Sequence, residues 1–316
     1  MAAVTLSLIV VFSLFGMAYA FFTLVKKPGA GSAAPGSPAK RVFFHGGFAL
    51  ATLLLGISFI THYPYTRYNF LHIMIYLWCA WAGAILAFYF KTEKQKNIVS
   101  ILFAALYLFF ILLKFTFTDR NFYLRLPLNI CNIVLVIIVL RVFVKSRMLD
   151  NYALTLGFLG AVMNFFMGAW HNGSYNTAIV IPGELGFYYI QVIEATLVHS
   201  FFLTFCLYAL LTGMIIPDVK EMTKNFIWIV PFFAVFVFTN QLYGGDFFFT
   251  GTLRDTPPPL IALYRAMPFV FTVTIGGRLF EINILDNLIV IALSFSVLTA
   301  ASWGLVKARG ILEKTG

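Results

Sequence analysis

Long apolar runs dominate the chain, and a short polar segment separates each run from the next. A helix of about 20 mostly apolar residues is long enough to cross a membrane. Nine runs reach that length: 2–25, 42–62, 69–90, 98–117, 126–144, 152–170, 187–212, 226–243 and 287–306. The first run has no basic segment before it and exceeds a typical signal-peptide core, so we interpret it as a helix. The pattern predicts an all-α, polytopic integral membrane protein with about nine transmembrane helices.

The segment 26–41, KKPGAGSAAPGSPAKR, separates the first two runs. Its Gly, Pro and Ser residues are typical of a flexible linker, and its two ends are basic. We therefore expect an N-terminal two-helix extension over residues 1–68, followed by a seven-helix membrane core over residues 69–316.

The loop 244–286 is long and rather apolar for a connection between two spans. Pro257, Pro258 and Pro259 interrupt any helix there, and the stretch 260–275 is too short to cross a membrane. We expect this stretch to lie at the membrane interface, or to re-enter the membrane where protein covers its backbone.

The composition agrees with a membrane protein that has no soluble domain. The chain of 316 residues is 61% hydrophobic and 11% charged, whereas soluble domains carry about 25% charged residues. The net charge is +10, but the Lys and Arg residues lie in short loops between apolar runs, which is typical of membrane topology. We therefore predict no nucleic-acid partner.

The basic residues also predict an orientation. Most of them lie in one alternate set of loops, together with the C-terminus, and such loops face the cytoplasm. With nine spans, the N-terminus is then outside. We expect a multi-pass protein of the cell membrane.

Motifs of soluble chemistry are absent from the sequence. Cys79, Cys131 and Cys206 all fall within apolar runs, without a CxxC or Cys/His metal spacing. The nucleophile elbow GxSxG, the zinc motif HExxH, the P-loop and the dinucleotide fingerprint are missing as well. We predict neither a metal site nor a cofactor.

Polar side chains within membrane spans are costly, so they are candidates for function. The apolar runs contain the following: His45, His72, Asn129, Cys131, Asn132, Asn164, Gln191, Glu194, His199 and Asn240. A helix-packing hydrogen bond is the alternative explanation for His199 and for Asn240.

Cys131 lies between Asn129 and Asn132 near the start of the run 126–144. A rise of about 1.5 Å per residue places it about 8 Å below the outer boundary, at the depth of lipid ester groups. A cysteine nucleophile needs an activating neighbour, usually a histidine. His199, near the middle of the run 187–212, could serve, although the spacing alone does not bring the two residues together.

The hexapeptide LPLNIC, which ends at Cys131, resembles the LPLxxC signature of the YwaF-like bacterial membrane proteins and of the distantly similar animal ether-phospholipid acyltransferases. His199, in VHSFFL, lines up with the histidine of a later helix in that family. Asn240 and Gly244 match its Asn–x3–Gly–x–Asn segment, whereas Asp246 stands where Asn is usual. The resemblance covers about residues 69–306.

The resemblance implies an intramembrane acyltransferase or transacylase that acts on membrane phospholipids, with no soluble cofactor. In the animal enzymes a membrane cysteine carries the acyl chain and a histidine assists. Cys131 would then be the nucleophile and His199 the base. Four asparagines, Asn129, Asn132, Asn164 and Asn240, are the predicted substrate-binding residues.

Three alternatives remain open at the level of sequence. Water in place of the acceptor lipid would make the protein a lipid hydrolase. A transporter or lipid-binding protein would use the same polar side chains without covalent chemistry. A purely structural role in a membrane complex, or assembly as a homo-oligomer, is also compatible with the sequence.

Overall fold

The computed structural model of the chain describes residues 38–61, 68–117, 130–175, 185–228, 230–243 and 270–315. The predicted span 2–25, Asn129 and the proline triplet of the loop 244–286 lie outside these residues. Within them the chain is mostly helical, which confirms the predicted helical character.

The helices fall where the apolar runs predict them. Their bounds are α1 Pro38–Thr61, α2 Tyr68–Tyr89, α3 Glu93–Phe117, α4 Ile130–Phe143, α5 Arg147–Tyr175, α6 Leu185–Thr212, α7 Val219–Asn225, α8 Val230–Tyr243 and α9 Ile284–Thr315. A single 3-10 turn, Phe226–Trp228, joins α7 to α8.

Three helical segments of the described chain are long and apolar enough to cross a membrane: His72–Tyr89, Glu93–Leu112 and Asn287–Ile311. A fourth candidate is the pair Val219–Trp228 and Phe233–Tyr243, which meets at a 50° bend. Shorter apolar helical segments lie in α1, α4 and α6. These segments support a membrane protein with several spans, and the number nine stays a prediction.

The expectation of an all-α chain is wrong at one place. Strands β1, Val270–Ile275, and β2, Arg278–Asn283, pair antiparallel, with Val273 opposite Phe280 in the register. Gly276 and Gly277 form the turn, with φ angles of 59° and 77°. The favoured two-residue hairpin turn needs positive φ at both positions, which glycine adopts without strain. The β-branched and aromatic residues on both sides favour strands.

The chain divides into two compact units, each of which is described by itself. Unit 1 comprises Met1–Leu102 and Gly157–Ile215, and unit 2 comprises Phe103–Leu156 and Ile216–Gly316. Unit 1 therefore contains α1, α2, the part of α3 up to Leu102, the part of α5 from Gly157 onward, and α6. The division into an extension over 1–68 and a core over 69–316 stays a prediction.

In unit 1, helix α2 packs against both α1 and α6. A Cβ atom on Gly83 of α2 would lie 2.8 Å from the carbonyl oxygen of Thr204 on α6, so only glycine allows this approach. The Thr204 hydroxyl donates a hydrogen bond of 2.8 Å to the carbonyl of Cys79. Small residues and such hydrogen bonds are the usual means of joining helices where burial from water gives no driving force.

Polar contacts in unit 2 fix the start of α7. The Asp218 side chain accepts hydrogen bonds from the first backbone N–H groups of α7, as an N-cap residue does. The Asp218 N–H in turn donates to the Asn151 side chain at 2.7 Å, and Tyr152 donates to the carbonyl of Asn225 at 2.7 Å. Helices α5 and α7 are thereby joined.

Candidate functional site

His199 lies on α6 in unit 1, within the apolar segment Thr196–Thr212, and is half-buried. Its ring meets the Phe202 ring edge-on, at a centroid distance of 5.6 Å. Helix α5 comes close to this pair at Gly160, where an added Cβ would lie 3.7 Å from His199 Cδ2 and 3.4 Å from Phe202 Cδ2. Helix α5 therefore lies against the imidazole at Gly160, with room there for a Cβ atom but not for a longer side chain.

Asn164 lies one turn beyond Gly160 on α5, so the two residues share a face of the helix. Its side-chain oxygen Oδ1 accepts a hydrogen bond of 2.9 Å from the hydroxyl of Tyr76 on α2. Of the six predicted site residues, His199 and Asn164 are the two that lie in unit 1. They lie where α2, α5 and α6 meet.

His72 lies at the same meeting of helices, and its role was not predicted. Its ring is 4.9 Å from the Tyr76 ring and 6.1 Å from the Phe165 ring, measured between centroids. It also lies beside the backbone of Asn164 and close enough to His199 for the two imidazoles to interact electrostatically. The spacing of His72 and Tyr76, four residues apart in an apolar run, was a sequence signal that both point the same way.

The His72 side chain is buried but incompletely paired. The residue is 2% exposed, and its Nε2 atom has no hydrogen-bond partner in the described part of the chain. His45, a second buried histidine of unit 1, differs because its Nε2 is hydrogen-bonded to the Tyr89 hydroxyl. A buried polar atom without a partner is uncommon and needs an explanation.

We call His72, Tyr76, Asn164 and His199 the His72 cluster. It has hydrogen-bonding groups and two imidazoles but no carboxylate, lysine or arginine. No group of three or more metal-type ligands occurs in the ranges that the structure covers. The cluster can hold or exchange a proton with a neutral polar group, and phenylalanine rings flank it.

The structure describes little of Cys131 and of its two asparagine neighbours. Cys131 and Asn132 are the second and third residues of α4, in unit 2, and their side chains lie outside the described residues. Asn129 lies outside them altogether. The pairing of Cys131 with His199 therefore stays a prediction.

Asn240, the last predicted site residue, is fully buried near the end of α8 in unit 2. The next residue, Gln241, holds the hairpin: its side-chain oxygen accepts from the Glu281 N–H at 2.8 Å, and its side-chain nitrogen donates to the Glu281 carbonyl. Phe238 contacts Phe280 of β2 as well, at a centroid distance of 5.6 Å. Asn240 thus lies where α8 meets the hairpin.

The two cysteines with described side chains are buried. Cys79 and Cys206 both belong to unit 1 and are 1% and 2% exposed. Neither takes part in the His72 cluster. They behave as small apolar residues of the helix contacts, so they do not compete with Cys131 as candidate nucleophiles.

Comparison with known proteins identifies one family. No curated protein matches the chain, and no solved structure does. The sequence model of the TMEM164 family matches residues 66–306, which is most of the chain and begins just before α2. Together with the apolar helices, this match shows that the chain belongs to the TMEM164 family of transmembrane proteins.

Proposed function

We propose that this protein is an intramembrane lipid acyltransferase, with Cys131 as the nucleophile and His199 as the base. One observation carries the proposal. The described structure gathers two imidazoles, a phenol and a carboxamide among apolar helices, without a charged side chain in the cluster. Polar groups are costly at this depth, and this set is suited to proton transfer at a neutral bond such as a lipid ester.

The position of Cys131 suits a nucleophile. It is the second residue of α4 as described, Ile130–Phe143, and in the sequence it comes after Pro127, a residue that suits a first helical turn. A cysteine near the start of a helix lies in a field that favours the thiolate. The resemblance of LPLNIC to the LPLxxC signature supports the same residue.

The proposed reaction balances without a cofactor. His199 takes the Cys131 thiol proton while the sulfur bonds to the ester carbonyl carbon of a donor phospholipid. The ester C–O bond then breaks, and the imidazolium returns the proton to the departing oxygen, which leaves as a lysophospholipid. An acceptor hydroxyl next gives its proton to His199 and attacks the thioester. The released sulfur recovers that proton, and the acyl chain has moved to the acceptor.

Labelling with an alkyne fatty acid tests the covalent step. Cells that express the protein are fed the label, the protein is purified in detergent, and hydroxylamine-labile label is measured. We expect label on the native protein, none on Cys131→Ala, and altered steady-state label on His199→Ala. Cys79→Ala is the matched control because it also removes a buried thiol, and it should keep the label. Undiminished label or full transfer in Cys131→Ala would exclude the mechanism.

The products separate transfer from the alternatives. Purified protein in phospholipid vesicles is given a lysophospholipid acceptor, and the lipids are analysed. A remodelled phospholipid indicates an acyltransferase, whereas free fatty acid alone indicates a hydrolase. Lipid movement that Cys131→Ala leaves unchanged indicates a transporter or lipid-binding protein.

A further inference from the structure

The buried Nε2 atom of His72 is the starting observation. An imidazole nitrogen that is removed from water without a hydrogen bond costs free energy. His72 is 2% exposed and its Nε2 has no partner in the described chain, although the same atom of His45 has one. Such an atom marks a place where a bound molecule can supply the missing partner.

The surroundings of His72 restrict what that ligand can be. The four described side chains of the His72 cluster include no lysine or arginine, so among them no cation is available to a phosphate or carboxylate. A neutral imidazole nitrogen either donates or accepts, according to its tautomer. A hydroxyl group does both, so it completes the bonding of His72 in either tautomer. The walls provided by Phe165 and Phe202 suit an adjoining hydrocarbon chain.

The position along the helix agrees with such a ligand. His72 is four residues into α2, which begins at Tyr68, so it lies about 6 Å from the helix end. A free hydroxyl on the glycerol part of a lipid lies near the end of a span rather than at its centre. His199, the proposed base, belongs to the same unit and lies against α5 at Gly160, one turn from Asn164.

We infer that the His72 cluster binds the free hydroxyl group of an acceptor lipid, with Nε2 of His72 as its hydrogen-bond partner. Calling this lipid the acceptor rests on the proposed function, in which His199 takes the proton of that hydroxyl. Binding itself needs no covalent chemistry. His72 is therefore assigned to recognition of the lipid that receives the acyl chain.

Two photoreactive probes test the inference. One is a lysophosphatidylcholine with a diazirine and an alkyne in its chain, and the other is the same molecule without its free hydroxyl. We expect the native protein in detergent to be cross-linked about five- to tenfold more by the hydroxyl probe, which is the effect of about one hydrogen bond. His72→Phe should lose this preference and His72→Gln should keep part of it. His45→Phe, which removes a histidine that already has a partner, should retain it in full.

A stability measurement distinguishes binding from a structural role. His72→Phe removes Nε2 and also the ring nitrogen that faces the backbone of Asn164 and Phe165, so its thermal midpoint is measured to show that loss of the preference is not loss of the fold. A native protein without preference for the hydroxyl overturns the inference and would mean that water alone fills the site, and so does a folded His72→Phe protein that keeps the preference in full. Cys131→Ala should keep the preference, so hydroxyl binding is tested even if no thioester forms.

Discussion

The hydroxyl of Tyr76 on α2 donates a hydrogen bond to Oδ1 of Asn164 on α5, at 2.9 Å. This bond fixes which end of the carboxamide faces α2. It also holds α5 so that the backbone of Asn164 and Phe165 lies beside His72. One bond between two helices thus positions two members of the His72 cluster.

Removal of the Tyr76 hydroxyl should uncouple these helices. Hydrogen bonds between membrane helices contribute about 0.6 kcal/mol on average, so we expect Tyr76→Phe to lower the free energy of unfolding by about that amount. A double-mutant cycle with Asn164→Ala, followed by unfolding in detergent, measures the coupling. Strictly additive effects of the two changes would show that the bond contributes nothing.

The closest helix contact of unit 1 should not tolerate a methyl group. In Gly83→Ala the new Cβ would lie 2.8 Å from the Thr204 carbonyl oxygen, so α2 and α6 must separate. We expect a loss of about 1–3 kcal/mol in the free energy of unfolding. Gly46→Ala on α1 is the matched control, because nothing lies within 4 Å of its new Cβ. It should gain up to about 1 kcal/mol, as helical Gly→Ala changes do. Equal effects at the two positions would contradict the close contact.

Gly160 should control access to His199. An alanine Cβ there lies at ordinary contact distance, 3.4 Å from the Phe202 ring and 3.7 Å from His199, so Gly160→Ala should keep acyl transfer. Gly160→Leu must displace one of the two rings, and misplacement of a catalytic group by about 1 Å can cost about 100-fold in rate. Transfer rates measured with alkyne-labelled donor lipid compare the two variants. If Gly160→Leu keeps the native transfer rate, His199 takes no part in the transfer.

The hairpin turn should require residues that accept positive φ. Gly277 has φ of 77°, and an ordinary side chain in that conformation costs about 1–2 kcal/mol. Gly277→Ala should therefore raise backbone hydrogen exchange across 270–283, while Gly277→Asn should raise it less. Gly310→Ala, in open space on α9, is the control and should leave the hairpin unchanged. Equal exchange in all variants would mean that the turn does not limit the hairpin's stability.

Helix positions could be predicted from the sequence better than helix ends. The run 98–117 predicts a span, but α3 begins at Glu93 because Thr92 and Gln95 cap it: the Thr92 N–H donates to the Gln95 side chain, and the Gln95 N–H donates to the Thr92 hydroxyl. The apolar run marks the part that lipid can surround. Hydrogen bonding decides where the helix starts.

The hairpin was predictable in principle. Two runs rich in β-branched and aromatic residues flank Gly276 and Gly277, which is a strong local signal for a two-residue turn. The expectation for 260–275 rested on length and apolar character alone. Those properties exclude a span, but they do not choose between a helix and a strand.

The sequence by itself determined that the chain enters a membrane, because apolar runs of about 20 residues have no other stable environment. It also named the costly polar side chains within those runs. Only the tertiary structure decided that His72, Tyr76, Asn164 and His199 meet, since they come from three helices. The physical reason is that a helix that is apolar on all sides shows no preferred face in its sequence. A close contact such as that at Gly83 selects the faces that meet.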